Sequence, residues 1–84
     1  MPAAKTLSDV IAAGIRAERA RRAWTQAELA QRAGLSRNTV GDIEARKRTV
    51  TVDYLLMFCK AFGVPAAVLV QGADPADLEA LGLN

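Results

Sequence analysis

Two short helix patterns separated by a glycine constrain this chain more than any other feature. The first begins after Thr25, whose hydroxyl can accept from the Glu28 amide while the Glu28 carboxylate reaches back to the Thr25 amide. The second begins after Ser36, which is also a helix-capping residue type. Gly34 lies between them, and glycine adopts the left-handed conformation of a tight turn without steric cost. Residues 25–45 therefore predict a helix, a tight turn and a second helix.

Apolar residues flank both caps, as in the hydrophobic staple that fixes how a chain enters a helix. The pairs are Trp24 with Leu29 and Leu35 with Val40. We therefore expect Trp24 to be a staple and core residue rather than a platform for a ligand.

The rest of the chain carries further helix signals. Apolar residues recur at helical spacing over residues 7–23, which predicts an amphipathic first helix. The predicted helices thus lie at about 7–23, 26–33, 37–45, 52–62 and 65–70, with a last turn after residue 75. Their start signals are Thr6 or Ser8, Thr25, Ser36, Thr51, Pro65 and Pro75, and their stop signals include Gly34, Gly63 and Gly72. This pattern predicts an all-α fold and one domain over residues 1–84.

Composition excludes several classes of function. The chain has one cysteine and no histidine, which rules out an internal disulfide and disfavours zinc fingers and histidine-based catalysis. We predict no catalytic residue, no metal and no cofactor, and Cys59 is expected to be a buried apolar residue. The polar N-terminal residues and the absence of a run of roughly 20 apolar residues predict a cytoplasmic protein without membrane contact.

The net charge of +2 is unevenly distributed. Residues 1–73 hold all 11 basic residues and 6 acidic ones, whereas residues 74–84 hold Asp74, Asp77 and Glu79 without a base. The body is therefore at +5 and the C-terminal segment at −3. A polyanion such as double-stranded DNA is expected to contact the body and avoid the C-terminal segment.

The second helix of the pair carries side chains that can read bases. Arg37 can donate two parallel bonds to guanine, Asn38 can pair bidentately with adenine, and Asp42 can accept from cytosine. An ordinary polar surface is the alternative, with Asn38 and Asp42 paired along the helix and Asp42 also meeting Arg46.

Two further features suit a DNA surface. Gly41 lies in mid-helix, where glycine costs about 1 kcal/mol relative to alanine, and either close approach to DNA or a tight helix contact inside the protein would explain it. Phosphate contacts, which position a protein without reading sequence, are expected at helix starts and in basic loops. The candidates are Gln26, Thr39, Arg46, Lys47 and Arg48.

The segment TQAELAQRAGLSRNTVGDIE resembles the helix-turn-helix of Cro and the phage repressors, in the lambda-repressor-like family of five-helix DNA-binding domains. The resemblance implies that Gln26 holds a phosphate and supports the first base-reading residue. It further implies a partly buried ion pair between Arg19 and Glu44, joining helices one and three. By the same resemblance, the residues facing the major groove would be Arg37, Asn38, Thr39 and Asp42.

One position departs from the family pattern. The family usually has a glycine two residues after the glutamate that matches Glu44, and here Arg46 occupies that place. Arg46 then either accepts a left-handed backbone at some cost or signals a different loop path. The segment IEARKRTVT is also similar to restriction-modification controller proteins, which are small dimers of this family.

These observations predict a transcriptional regulator, with repression as the expected output, that binds an inverted repeat as a homodimer. A phage immunity repressor and a controller protein both fit, and such a regulator would be governed by its own concentration or by a partner protein such as an antirepressor. The alternative is an antitoxin that binds a toxin and autoregulates its operon.

An apolar surplus in the C-terminal third predicts where the dimer forms, in a region that includes residues 64–84. The alternative is that the last dozen residues fold back on their own domain. The expected interface residues are Leu56, Val68, Val70, Leu78 and Leu81.

Overall fold

The computed structural model describes residues 5–83, and that part of the chain forms six α-helices without a strand. The predicted all-α class and helix order are confirmed, including a sixth helix where a last turn was expected. In chain order the helices are α1 (Leu7–Arg21), α2 (Gln26–Ala33), α3 (Arg37–Glu44), α4 (Val52–Phe62), α5 (Ala66–Leu69) and α6 (Pro75–Leu81). No helix within residues 5–83 combines the length and the hydropathy that crossing a membrane requires.

Hydroxyl caps begin the first four helices. The side chains of Thr6, Thr25, Ser36 and Thr51 each accept a hydrogen bond from the backbone amide three residues later, at 3.0 to 3.1 Å. Such a cap satisfies one of the free amides at a helix start and contributes about 1 kcal/mol.

The capping box expected at α2 is only half formed. The Glu28 carboxylate accepts from the Thr25 hydroxyl at 3.3 Å, not from the Thr25 amide. The complete box lies at α1, where Thr6 and Asp9 exchange both hydrogen bonds. Ser8 does not cap α1, because it lies inside the first turn of the helix. Its hydroxyl accepts from the Val50 amide at 2.8 Å and so ties α1 to the loop before α4.

The helices α1 and α3 end earlier than predicted, and each is followed closely by a residue in the left-handed conformation that is not glycine. Ala23 has φ 55° after α1, and Arg46 has φ 63° after α3. The Trp24 amide donates a hydrogen bond to the Arg19 carbonyl at 3.1 Å, which satisfies one of the carbonyls at the end of α1. Of the two alternatives for Arg46, the structure shows the left-handed backbone, whose steric cost a glycine would not incur.

A single core lies between the helices. Its largest fully buried side chains come from five helices and the turn after α5, and Gly34 at φ 74° turns the chain so that α2 and α3 both reach it. These side chains are Ile15, Leu29, Val40, Ile43, Phe58, Leu69 and Val70. Trp24 packs at the edge of this core, stacked on Phe62 with 5.7 Å between ring centroids.

Gly14 allows α1 to lie directly on α5. A Cβ atom at this position would come within 2.4 Å of the Leu69 carbonyl oxygen, a separation that real Cβ atoms do not tolerate. The backbone of α1 therefore approaches α5 more closely than any other residue type would permit. This contact fixes where α1 lies relative to the C-terminal half of the domain.

A buried acid at the end of α1 was not predicted. Glu18 is buried and pairs with Arg22 at 2.9 Å and with Arg21. Arg22 also donates to the Phe62 carbonyl at 3.1 Å, and its guanidinium lies over the Phe62 ring. Arg22 therefore joins the end of α1 to the last turn of α4.

The C-terminal segment folds back on its own domain. Leu78 and Leu83 pack against the core, and Ala73 is buried in it. Val70 is only 1% exposed, so its expected place at a dimer interface was wrong: the side chain points into the core at the end of α5. Leu78 and Val68 are half-buried, whereas Leu56 and Leu81 are each 52% exposed.

Candidate nucleic-acid interface

The first turn of α3 presents side chains to solvent from a fixed backbone. Arg37 and Asn38 are exposed, immediately after the Ser36 cap. On the opposite side of the helix, Val40 and Ile43 are fully buried and hold α3 in the core. The exposed face of this turn therefore keeps its orientation, because the helix behind it has little freedom to roll.

Thr39 differs from its two neighbours in α3. Its hydroxyl lies 2.8 Å from the Ser36 hydroxyl, and its amide donates to the Ser36 side chain at 3.1 Å. The Thr39 side chain is half-buried and takes part in the helix cap. Its hydroxyl still has hydrogen-bonding capacity, since a hydroxyl combines one donor with two acceptor sites.

A buried carboxylate fixes the other end of α3. The Glu44 side chain is 4% exposed, and its two oxygens accept from Arg19 Nε at 2.8 Å and Nη2 at 2.9 Å. Gln26 Nε2 donates to the same carboxylate at 3.3 Å. The structure thus joins α1, α2 and α3 through one acidic group. The hydrogen bond with Glu44 raises the pKa of Arg19, against a smaller opposing effect of burial.

Gln26 is placed at the start of α2 by this network. One of its amide hydrogens is directed at Glu44, and the residue is half-buried beside the exposed face of α3. The second amide hydrogen and the positive end of the α2 dipole suit a phosphate oxygen.

Asp42 makes neither of the two pairs that the polar-surface alternative predicts. Its carboxylate lies 3.7 Å from Arg48, and no hydrogen bond to Asn38 or pair with Arg46 is found within residues 5–83. Both side chains of the Asp42–Arg48 pair are almost half exposed, so the pair contributes little to stability. Asn38 therefore stays available to a ligand.

A basic loop follows α3. Arg46, Lys47 and Arg48 are all exposed. The amides of Arg46 and Lys47 return to the Ile43 and Asp42 carbonyls at 3.0 and 2.8 Å, which holds the start of the loop against the helix. Three cations thus lie beside the exposed face of α3.

Gly41 of α3 faces the Gln26 side chain of α2. A Cβ atom there would meet Gln26 Oε1 at 3.5 Å, an ordinary van der Waals distance. The protein's own packing therefore leaves room for alanine, in contrast to Gly14. A tight internal contact does not account for this glycine.

Solved structures of transcription regulators are similar to this chain. The hypothetical transcription factor NHTF from Neisseria is 28% identical, with a TM-score of 0.74 over 96% of this chain and 91% of its own. The clp gene regulator ClgR from C. glutamicum is 25% identical, with a TM-score of 0.73 over 94% of both chains. The restriction-modification controller protein C.Esp1396I is 26% identical, with a TM-score of 0.71 over 79% of this chain and 85% of its own.

No curated protein is significantly similar to this chain in sequence. The family model HTH_3, described as helix-turn-helix, matches residues 15–69, which is more than half of the chain. That range runs from the middle of α1 to the end of α5 and includes the whole site described above. The chain therefore belongs to this Cro/C1-type helix-turn-helix family and has its lambda-repressor-like fold, and it is a DNA-binding transcription regulator.

Proposed function

We propose that this protein is a repressor that binds an inverted-repeat operator as a homodimer, with α3 in the major groove of each half-site. The observation that carries the proposal is the geometry of α3. Its first turn exposes Arg37 and Asn38, while its last turn is held by the buried Glu44 carboxylate. A helix presented in this way suits the major groove, where base edges carry a distinct pattern of donors and acceptors.

Each exposed side chain of α3 has a role in this proposal. Arg37 reads guanine, Asn38 reads adenine, and Asp42 accepts from a cytosine amino group once Arg48 turns to a phosphate. Thr39 lies in the same turn of α3 and contacts a base or a thymine methyl group. Phosphate contacts then set the register of the complex, and they come from Gln26, Arg46, Lys47 and Arg48.

An apolar surface on α4 and α6 supports the dimer. Val52 is 83% exposed, and Leu56, Met57 and Leu81 are also exposed. Val52 and Leu81 line a common cavity of about 250 Å³, whose other lining side chains are almost all apolar, among them Leu7, Leu55 and Leu83. Contiguous exposed apolar surface on a small domain commonly marks an interface.

Twofold symmetry gives a physical reason for pairing on this surface. One α3 contacts too few base pairs to select a site in a genome, whereas a dimer places two such helices about 34 Å apart in successive major grooves. Repression requires only that the bound dimer exclude other proteins from the same DNA, so no activating surface is needed.

Selection of DNA fragments by the purified protein tests this function. The expected result is a sequence with twofold symmetry and half-sites about 10 base pairs apart, centre to centre. Arg37→Ala and Asn38→Ala should each weaken binding to that site by about 1 to 3 kcal/mol and leave binding to random DNA nearly unchanged. Recovery of a site without symmetry would contradict the dimer, and equal losses on both DNAs would reassign these residues to phosphate contacts.

A further inference from the structure

We propose that an open groove between α1 and the end of α3 binds a phosphate of the DNA backbone, and that Arg16 is the residue of α1 that holds it. This inference rests on the proposed function and adds a contact from α1, outside the helix-turn-helix itself. The groove has a volume of about 510 Å³. Arg16 and Arg46 line it, and the surface between them consists mainly of alanines of α1 together with the last residues of α3.

The charge of the groove is positive. Its single acidic lining residue is Glu44, whose carboxylate is buried and already bound by Arg19 and Gln26. Arg16 and Arg46 are both exposed, and within residues 5–83 neither forms an ion pair or a side-chain hydrogen bond. The two guanidinium groups are thus available to an anion.

The neighbouring acids are engaged elsewhere. The Asp9 carboxylate accepts from the Thr6 amide at 3.1 Å, and Asp42 faces Arg48 at 3.7 Å. Neither acid lines the groove. An incoming phosphate would therefore not have to displace a carboxylate.

The small side chains along the groove leave room for a phosphodiester beside Arg16. Apart from Arg16, the residues of α1 that line the groove are all alanines, whose side chains are single methyl groups. They are Ala12, Ala13, Ala17 and Ala20. A backbone phosphate can therefore approach the helix closely. The planar guanidinium donates two parallel hydrogen bonds to phosphate oxygens, a geometry that lysine does not offer.

The groove also lies at the C-terminal end of α3, beyond the residues proposed to read bases. Glu44 and Ala45, at the C-terminal end of α3, form part of its lining. This end is about 12 Å from the first turn of α3, because a helix rises about 1.5 Å per residue. A DNA strand presents a phosphate about every 3.4 Å along the axis. The groove therefore contacts phosphates several nucleotides away from the bases that Arg37 reads.

The salt dependence of DNA binding by the full chain tests this assignment. For Arg16→Ala, we expect weaker binding to specific and random DNA alike. We also expect the slope of log K against log salt to become shallower by about 0.9, the value for one phosphate. Lys60→Ala removes the same charge from an exposed position on α4 and serves as the matched control, with an unchanged slope. Arg16→Lys should recover part of the affinity, since it keeps the charge but not the paired hydrogen bonds.

The outcomes separate this inference from the proposed function. If the parent protein and Lys60→Ala bind DNA and Arg16→Ala has the parental slope, the groove does not bind phosphate. Equal changes in Arg16→Ala and Lys60→Ala would show a general effect of charge and would also overturn the inference. A parent protein that binds no double-stranded DNA would instead overturn the proposed function. Arg16 is exposed, so a parental melting temperature is expected for its variants and excludes unfolding as the cause.

Discussion

Arg19 and Glu44 meet through two parallel hydrogen bonds, from Nε at 2.8 Å and from Nη2 at 2.9 Å, although they lie 25 positions apart in the chain. Arg19 also donates Nη1 to the Trp24 carbonyl at 2.9 Å. The same guanidinium therefore fixes the end of α3 and the chain segment that leads into α2. This pair connects the orientation of α3 to the stability of the domain.

Removing the Glu44 carboxylate should destabilise the fold. Glu44→Ala leaves Arg19 and Gln26 without their buried acceptor, and we expect a loss of about 3 to 5 kcal/mol in the free energy of unfolding by denaturant. Asp42→Ala is the matched control, because its exposed pair with Arg48 should contribute less than about 1 kcal/mol. Equal stability of Glu44→Ala and the parent would show that the pair does not hold α3.

The stabilisation by Arg19 should not vary with pH in the neutral range. Its pKa is raised in the folded state, so its contribution is fully present below the pKa of the unfolded chain and is lost only as pH rises through the folded value. Both values lie in the strongly alkaline range. Unfolding at pH 6 and pH 9 should therefore show the same difference between Arg19→Met and the parent.

Gly14→Ala should destabilise the protein even though alanine is the better helix former. The added methyl group would clash with the Leu69 carbonyl oxygen, and α1 and α5 would have to separate. Overpacking of this kind typically costs about 1 to 3 kcal/mol, more than the roughly 1 kcal/mol gained in helix propensity. Thermal denaturation followed by circular dichroism measures the net effect, and a raised melting temperature would contradict the close approach of the two helices.

Gly41→Ala is the same substitution where the structure leaves room. We expect the free energy of unfolding to rise by up to about 1 kcal/mol, because the methyl group reaches only van der Waals contact with Gln26. Binding to the selected operator then decides why glycine is present. A loss of affinity in this more stable variant would indicate close approach of α3 to DNA, whereas parental affinity would exclude it.

Glycine at the two left-handed positions should stabilise the fold. Ala23→Gly and Arg46→Gly each relieve a steric cost of about 1 kcal/mol, seen as a higher denaturant midpoint. Only Arg46→Gly removes a cation from the proposed DNA surface, so only this variant should bind DNA more weakly. If Ala23→Gly also lost affinity, the turn before α2 would have a role in binding beyond support.

The exposed apolar surface predicts how the protein associates. Leu56→Asp should shift sedimentation at tens of micromolar from dimer to monomer and lower operator affinity, because a charge on this face opposes its burial. Lys60→Ala, on the same helix, lowers the net charge by the same one unit and is the control for the change in charge. A parent protein that sediments as a monomer at this concentration would instead assign the surface to another partner. Truncation after Gly72 should destabilise the fold itself, because it would remove Ala73 and Leu78 from the core and its edge.

The sequence predicts the helix caps and turns of the chain but few of its tertiary contacts. The caps at Thr25 and Ser36 and the turn at Gly34 depend on residues within a few positions, so their chemistry specified both helices of the motif. The Gly14 contact depends on Leu69, which lies 55 positions further along the chain and leaves no periodic signal.

The limits of the sequence are also clear in the charged residues. The sequence does not predict the contact of Arg22 with α4, because its acceptor is the Phe62 backbone carbonyl, and any residue type supplies such a carbonyl. The Arg19–Glu44 partnership came from family resemblance and not from spacing. The sequence does not predict the left-handed backbone of Ala23, because alanine ordinarily continues a helix.

The stacking of Trp24 makes its intrinsic fluorescence a probe of tertiary structure. The chain has a single tryptophan, whose ring centroid lies 5.7 Å from that of Phe62 and 4.2 Å from the Arg32 guanidinium. These neighbours belong to α4 and α2, so the environment of one indole depends on the junction of three chain segments. Its emission therefore follows the loss of tertiary packing, independently of the far-ultraviolet signal that reports helix content. Agreement between the two signals would show that the domain unfolds as one cooperative unit.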